Sequence, residues 1–127
     1  MQVSVSVAEA VAVELVQQGK TLPAPISGMA LLDSGASTTC VDESVAQKLQ
    51  LPVTDVVTIA SASHTSSKQN VYPARIELVG LSVAINALDA IGGPLIEQGI
   101  IALIGRDVLQ HCTLFYNGMT GSISLAI

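Results

Sequence analysis

The stretch Ala30-Leu31-Leu32-Asp33-Ser34-Gly35-Ala36-Ser37 constrains the chain more than any other. Three apolar residues run straight into a carboxylate, a hydroxyl and a glycine. Leu31 and Leu32 read as the end of a buried strand. That strand delivers Asp33 facing inward, where an ionised carboxylate is costly unless something pairs with it. Ser34 can hydrogen-bond to neighbouring backbone, and Gly35 permits a tight bend or the close approach of another backbone. Asp-Ser-Gly is also good surface-turn chemistry anywhere. The aliphatic lead-in argues against that reading.

A second stretch, Ala102-Leu103-Ile104-Gly105-Arg106-Asp107-Val108-Leu109, repeats the design of an apolar strand, a Gly break and a short helix-like piece. Together the two stretches resemble the retroviral-type aspartic proteases (retropepsins) and their cellular and bacterial relatives. In that family an Asp-Thr/Ser-Gly-Ala loop carries the catalytic aspartate. Further on, an apolar pair followed by Gly-Arg-Asn/Asp begins a helix packed under the active site. Order and spacing both fit here. The resemblance implies an all-β fold, a closed acid-protease barrel with one or two short helices, active as a homodimer.

Length and composition are compatible with this. A chain of 127 residues is expected to form a single domain, residues 1–127, with its own core. Half the residues are hydrophobic, yet only Phe115, Tyr72 and Tyr116 are aromatic, so the core must be aliphatic. Clustered β-branched residues favour strands. So apolar a chain is expected to hide some surface in an oligomer interface. Net charge is −5 and the five basic residues are scattered, which excludes a nucleic-acid footprint. Asn86, Asp89, Glu97 and Gln98 interrupt the richest apolar region, so no membrane span is expected. The N-terminus lacks a basic n-region and a compact apolar h-region, and a cytoplasmic chain without signal peptide is expected. Cys40 and Cys112 sit in apolar surroundings without metal-ligand spacing and read as free buried thiols.

Patterning places the remaining elements. Residues 3–16 read as strand, with Val3, Val5 and Val7 alternating with Ser4 and Ser6. Ile26 to Leu32 forms the strand that presents Asp33, and a short strand follows around Thr38–Val41. Asp42 looks like a helix N-cap, with Val45, Ala46 and Leu49 on one face and Pro52 ending the run. Residues 53–60 and 69–79 read as a hairpin around the polar tract 61–68, with His64 exposed at its tip. Residues 81–91 give another strand, Gly92-Gly93-Pro94 a break, and 100–104 the strand before Gly105. Asn117-Gly118 signals a tight turn between Cys112–Tyr116 and Gly121–Ile127.

The resemblance also implies chemistry and roles. Pepsin-like enzymes carry two aspartate loops in one chain; this chain has one, so a homodimer would place one Asp33 from each subunit across a two-fold axis. The implied activity is an aspartic endopeptidase acting on peptide or protein substrates, with no cofactor and no metal. The alternative is a catalytically inactive dimerisation or peptide-binding module of the same fold. Asp33 is the implied catalytic residue, in a loop with Ser34, Gly35 and Ala36, and the Ser34 hydroxyl would bond across the dimer axis. Leu31, Gly35, Ala36, Ile101 and Leu103 would contact substrate. Gly105, Arg106 and Asp107 would support the site. Ser37 stands where many relatives have Asp, which leaves Asp42 and Asp107 as candidate partners for Arg106. The 53–79 hairpin occupies the position of the family's flap, though it contains no glycine. Val3–Val7 and Ile123–Ile127 have the alternation suited to the family's intermolecular terminal sheet.

Overall fold

The computed structural model describes residues 1–61 and 64–126. Its centre is a sheet that closes on itself. Strands β1 (Gln2–Val7), β2 (Ile26–Leu32), β7 (Ala102–Ile104), β3 (Cys40–Asp42), β6 (Val83–Gly93) and β5 (His64–Leu78) pair in that order, and β5 pairs back onto β1. Closure removes the sheet edges that would otherwise template aggregation. β4 (Asp55–Ser61) lies outside the ring and pairs with β5 alone. A separate hairpin joins β8 (Thr113–Asn117) to β9 (Ser122–Ala126). Helices α1 (Glu9–Gln17), α2 (Glu43–Lys48) and α3 (Arg106–Leu109) complete the chain. None of them is long and apolar enough to cross a membrane.

The barrel interior is aliphatic. Val3, Val5 and Val7 point inward from β1, and Ile76, Leu78 and Ile104 are among the largest fully enclosed side chains. On α2, Asp42 caps the N-terminus by accepting from the Ser44 and Val45 N–H groups, and Val45 and Ala46 face the core.

Several local expectations change. The strand read over 3–16 stops at Val7, because Glu9–Gln17 is rich in Ala, Glu, Leu and Gln, which favour helix over strand. The described chain therefore has three α-helices, not one or two. β1 pairs on both edges over Val3–Val5, with β2 and with β5, so that part of Val3–Val7 has no free edge for an intermolecular sheet. The 61–68 tract is not a loop. Thr58 pairs with Lys68, Ile59 with Ser67 and Ser61 with His64, while Ala62 and Ser63 lie outside the described residues. Gly92 and Gly93 do not break β6 but pair with Val41 and Asp42. Asn117 ends β8, and its side-chain oxygen accepts from the Met119 and Thr120 N–H groups. The turn is thus wider than a two-residue Asn-Gly hairpin.

Candidate active site

The loop after β2 is built by its two flanking strands. β2 and β7 run parallel with Leu31 opposite Leu103, and the Asp33 N–H extends the ladder by donating to the Ile104 carbonyl at 2.9 Å. Asp33 then folds back on itself. Its Oδ1 accepts from the Gly35 N–H at 2.9 Å, and its carbonyl accepts from the Ala36 N–H at 3.2 Å. The carboxylate is half-buried, neither sealed in the core nor free on a surface turn. Its remaining oxygen has no protein donor among the described residues.

A second layer holds this loop from beneath. The Arg106 N–H donates to the Ala36 carbonyl at 2.8 Å, and Arg106 Nη1 to the Ser34 carbonyl at 2.9 Å. Gly105 is needed for close approach: a Cβ there would stand 2.7 Å from the Thr38 carbonyl carbon. Thr39, 0% exposed, is the centre of the support. Its hydroxyl accepts from the Gly105 N–H at 3.1 Å and donates to Asp107 Oδ1 at 2.7 Å, while the Thr39 N–H donates to the same carboxylate. Asp107 also accepts from the Val108 N–H. α3 is thereby tied to the strand that leaves the Asp33 loop.

Neither candidate partner reaches Arg106. Asp107 is taken by Thr39 and Val108. Asp42 accepts from the Ser44 hydroxyl and from the Ser44, Val45, Leu95 and Ile96 N–H groups. Burial opposes the Asp42 charge, but these bonds from Ser44, Ile96, Leu95 and Val45 outweigh it and hold the carboxyl below the usual aspartate range. Arg106 instead uses the carbonyl oxygens of the loop it supports.

Strand register sorts the apolar positions. Ala30, Ala102, Val41 and Gly92 form one row across β2, β7, β3 and β6, and all are buried. Leu31, Leu103, Cys40 and Ile91 form the next row on the opposite face, and all are partly or well exposed. This outward row runs beside Asp33 and includes Leu31, 48% exposed, and Leu103. Ile101 does not join it. At 6% exposure it packs into the core, with its side chain against Gly28.

Sequence reasoning missed Thr39, Cys40 and Ile91. The Thr39/Val41 alternation carried a usable signal, since it turns Thr39 inward and Cys40 outward. Cys40 and Cys112 are free but only half-buried. Burial, then the charges of Asp107 and Asp33, pushes the Cys40 thiol up, which disfavours a thiolate there. No cluster of metal-ligating side chains occurs among the described residues.

A family profile described as "gag-polyprotein putative aspartyl protease" matches residues 26–111, which span the Asp33 loop and α3. The chain belongs to the retroviral-type aspartyl protease family. The crystal structure of the retroviral protease-like domain of Ddi1 from Leishmania major is similar in fold, with a TM-score of 0.51 and 16% identity. The match covers 83% of this chain and 82% of that one. No curated protein matches the sequence. Membership and the closed, mostly β barrel agree with the retropepsin-like fold expected from the two motifs.

Proposed function

We propose that residues 1–127 form one aspartic endopeptidase domain that works as a homodimer, with an Asp33 carboxylate from each subunit at a shared site. The observation that carries this reading is the Asp33 loop. A half-exposed carboxylate is oriented by the Gly35 N–H, and the loop is braced from beneath by Gly105, Arg106 and Asp107. Rigid bracing of an accessible acid is what a catalytic carboxylate needs, and a surface turn does not require it.

Two such carboxylates brought together cannot both ionise cheaply, so the pair holds one proton. The ionised partner takes a proton from a water lying between them as the water oxygen attacks the scissile carbonyl carbon. The protonated partner donates to the developing oxyanion. Collapse of the tetrahedral intermediate breaks the C–N bond, and the amine leaves with a proton from the pair. Leu31, Leu103, Ala36 and Gly35 are placed to contact the peptide, and the outward row adds Cys40 and Ile91. Ile101 would act from the core, behind that row.

The dimer is supported by the β8–β9 hairpin. Leu114 faces Leu125, and Tyr116 faces Ile123, so one face of the hairpin is apolar. Most of it is nevertheless solvent-exposed, with Tyr116 at 69% and Met119 at 98%. A lone two-stranded hairpin is marginal in water. A second copy would cover this surface, and Ile123 shares the lining of one cavity with Ala30–Leu32 at the foot of the Asp33 loop. The test is cleavage of an unbiased peptide library, read by mass spectrometry, for the wild type and Asp33→Asn. Cleavage by the wild type alone supports the endopeptidase. Equal products from both would refute the assigned role of Asp33, and none from either would favour an inactive binding module.

A further inference from the structure

The β4–β5 hairpin stands off the barrel on one strand. β4 pairs only with β5, and beyond Val71, from Asn70 towards the tip, the described residues of β5 pair only with β4. Its angle to the barrel is therefore set where β5 leaves the ring, around Asn70, Val71 and Tyr72. Among the described residues, two side chains from outside the two strands reach that point: Thr54, just before β4, whose hydroxyl donates to the Val71 carbonyl, and one from a separate element. Glu43 Oε1, at the first residue of α2, accepts from the Tyr72 hydroxyl at 2.5 Å and from Asn70 Nδ2 at 3.2 Å. Asn70 Nδ2 also donates to the Tyr72 hydroxyl, which closes a three-member cluster. Among the described residues, this is the one side-chain hydrogen bond linking the hairpin arm beyond Val71 to another element.

The position is a demanding one for a carboxylate. Glu43 Oε2 is enclosed and has no hydrogen-bond partner among the described residues. It fills the space that a Cβ on Gly92 would need, and that Cβ would also come within 2.9 Å of the Tyr72 ring. A glycine inside a paired strand is disfavoured by its backbone entropy, and here it leaves the space that Glu43 fills. Burying an unpaired carboxylate oxygen is costly. A salt-bridged or capping glutamate on the outer face of α2 would avoid both costs.

The geometry points to Glu43 as a positioning residue that clamps the root of the hairpin, fixing how the arm sits over substrate at the Asp33 site. This rests on the endopeptidase reading for its consequence in catalysis, but the clamp itself is a property of the folded chain. What the clamp requires is reach and a hydrogen-bond acceptor. Glu43→Gln keeps both, whereas Glu43→Asp keeps the charge but falls about one methylene short. A glutamate serving only as a favourable charge in the first turn of α2 would behave the other way, tolerating Asp and losing its effect as Gln.

The test is amide hydrogen exchange of residues 55–71, read on peptic fragments, with β1 and β2 as internal reference. Glu43→Asp and Tyr72→Phe should speed exchange in 55–71 by about tenfold, the effect of losing one strong hydrogen bond, with the β1 and β2 fragments unchanged. Glu43→Gln should remain near the wild type. Gly92→Ala should loosen the same segment, and less so in a Glu43→Ala background, because the closest clash, with the Glu43 carboxylate, is then removed and only the Tyr72 ring contact remains. In peptide hydrolysis, Glu43→Asp should raise KM by about tenfold with kcat little changed, since the clamp orders substrate-gripping structure and not the carboxylates. Uniformly faster exchange in all fragments, or exchange unchanged in Glu43→Asp and lost protection in Glu43→Gln, would overturn the clamp. If even the wild type cleaves nothing, the endopeptidase reading fails while the exchange pattern still decides the clamp.

Discussion

Thr39→Val replaces a side chain by one of nearly the same shape, and for a residue wholly inside an aliphatic barrel that exchange would ordinarily look harmless. The hydrogen bonds around Thr39 say otherwise. Its hydroxyl is the acceptor for the buried Gly105 N–H and a donor to Asp107 Oδ1. Valine leaves that N–H unpaired, at about 1–3 kcal/mol, and removes a bond to a carboxylate, at about 1.5–3 kcal/mol. Asp107 is exposed enough for water to recover most of the second loss, so the net cost is about 2–3 kcal/mol. Thr39→Ser keeps both bonds and loses one methyl group, which costs about 1 kcal/mol. The ordering is therefore wild type, then Ser, then Val, with Val below Ser by about 1–2 kcal/mol as the difference of those two figures. Urea unfolding at one fixed protein concentration measures it, the concentration being held because association shifts apparent stability. A Thr39→Val protein more stable than Thr39→Ser would refute the reasoning, because packing alone would then govern the site.

Two further outcomes follow from other parts of the molecule. The folded chain holds the Asp42 carboxyl below the usual range. Its contribution to stability is thus fully present above the ordinary aspartate value, and is lost as pH falls through that value towards the folded one. Asp42→Asn should unfold more easily near neutral pH and show a flatter loss of stability between about pH 5 and about pH 2.5; an acid limb as steep as the wild type's would contradict this. On the β8–β9 hairpin, Tyr116→Glu alters a side chain that is 69% exposed in one chain, so it should cost the isolated fold little. It should convert dimer to monomer in sedimentation, and an undiminished dimer would remove the hairpin from the interface.

The parts of this fold legible in the sequence are those where local chemistry and tertiary context agree. The strand Ile26–Leu32, the Asp42 cap and the Val45/Ala46 face of α2 were each written in adjacent residues. The Asp33 loop and the Gly105-Arg106 support were legible as two motifs, because each needs a glycine or a small residue for backbone approach. Failures came where one signal had two readings. The valines of 3–16 continue past Val7, but Glu9–Gln17 carries them on helix-forming neighbours, and they leave the sheet. Gly92 and Gly93 have the composition of a break, yet Gly92 is glycine because Glu43 and Tyr72 occupy its Cβ space. No local pattern reports that. Likewise Ile101 and Leu103 differ by two positions in sequence yet end up as core and outward row, since β7 begins only at Ala102. The sequence offers only acids as partners for Arg106, whereas the fold supplies the Ser34 carbonyl.

The central claim is that each active site contains two Asp33 carboxylates from different chains, and mixing tests it most directly. Wild type and Asp33→Asn are combined at fixed total concentration, exchanged by brief dilution or mild urea, and assayed for peptide hydrolysis across the mixing series. If one carboxylate must come from each subunit, only wild-type homodimers act, and total activity follows the square of the wild-type fraction. An equal mixture then retains about a quarter of the activity, from random pairing of two subunits. Activity falling in direct proportion to the wild-type fraction would mean that each chain carries a complete site, and the shared-carboxylate mechanism would be contradicted.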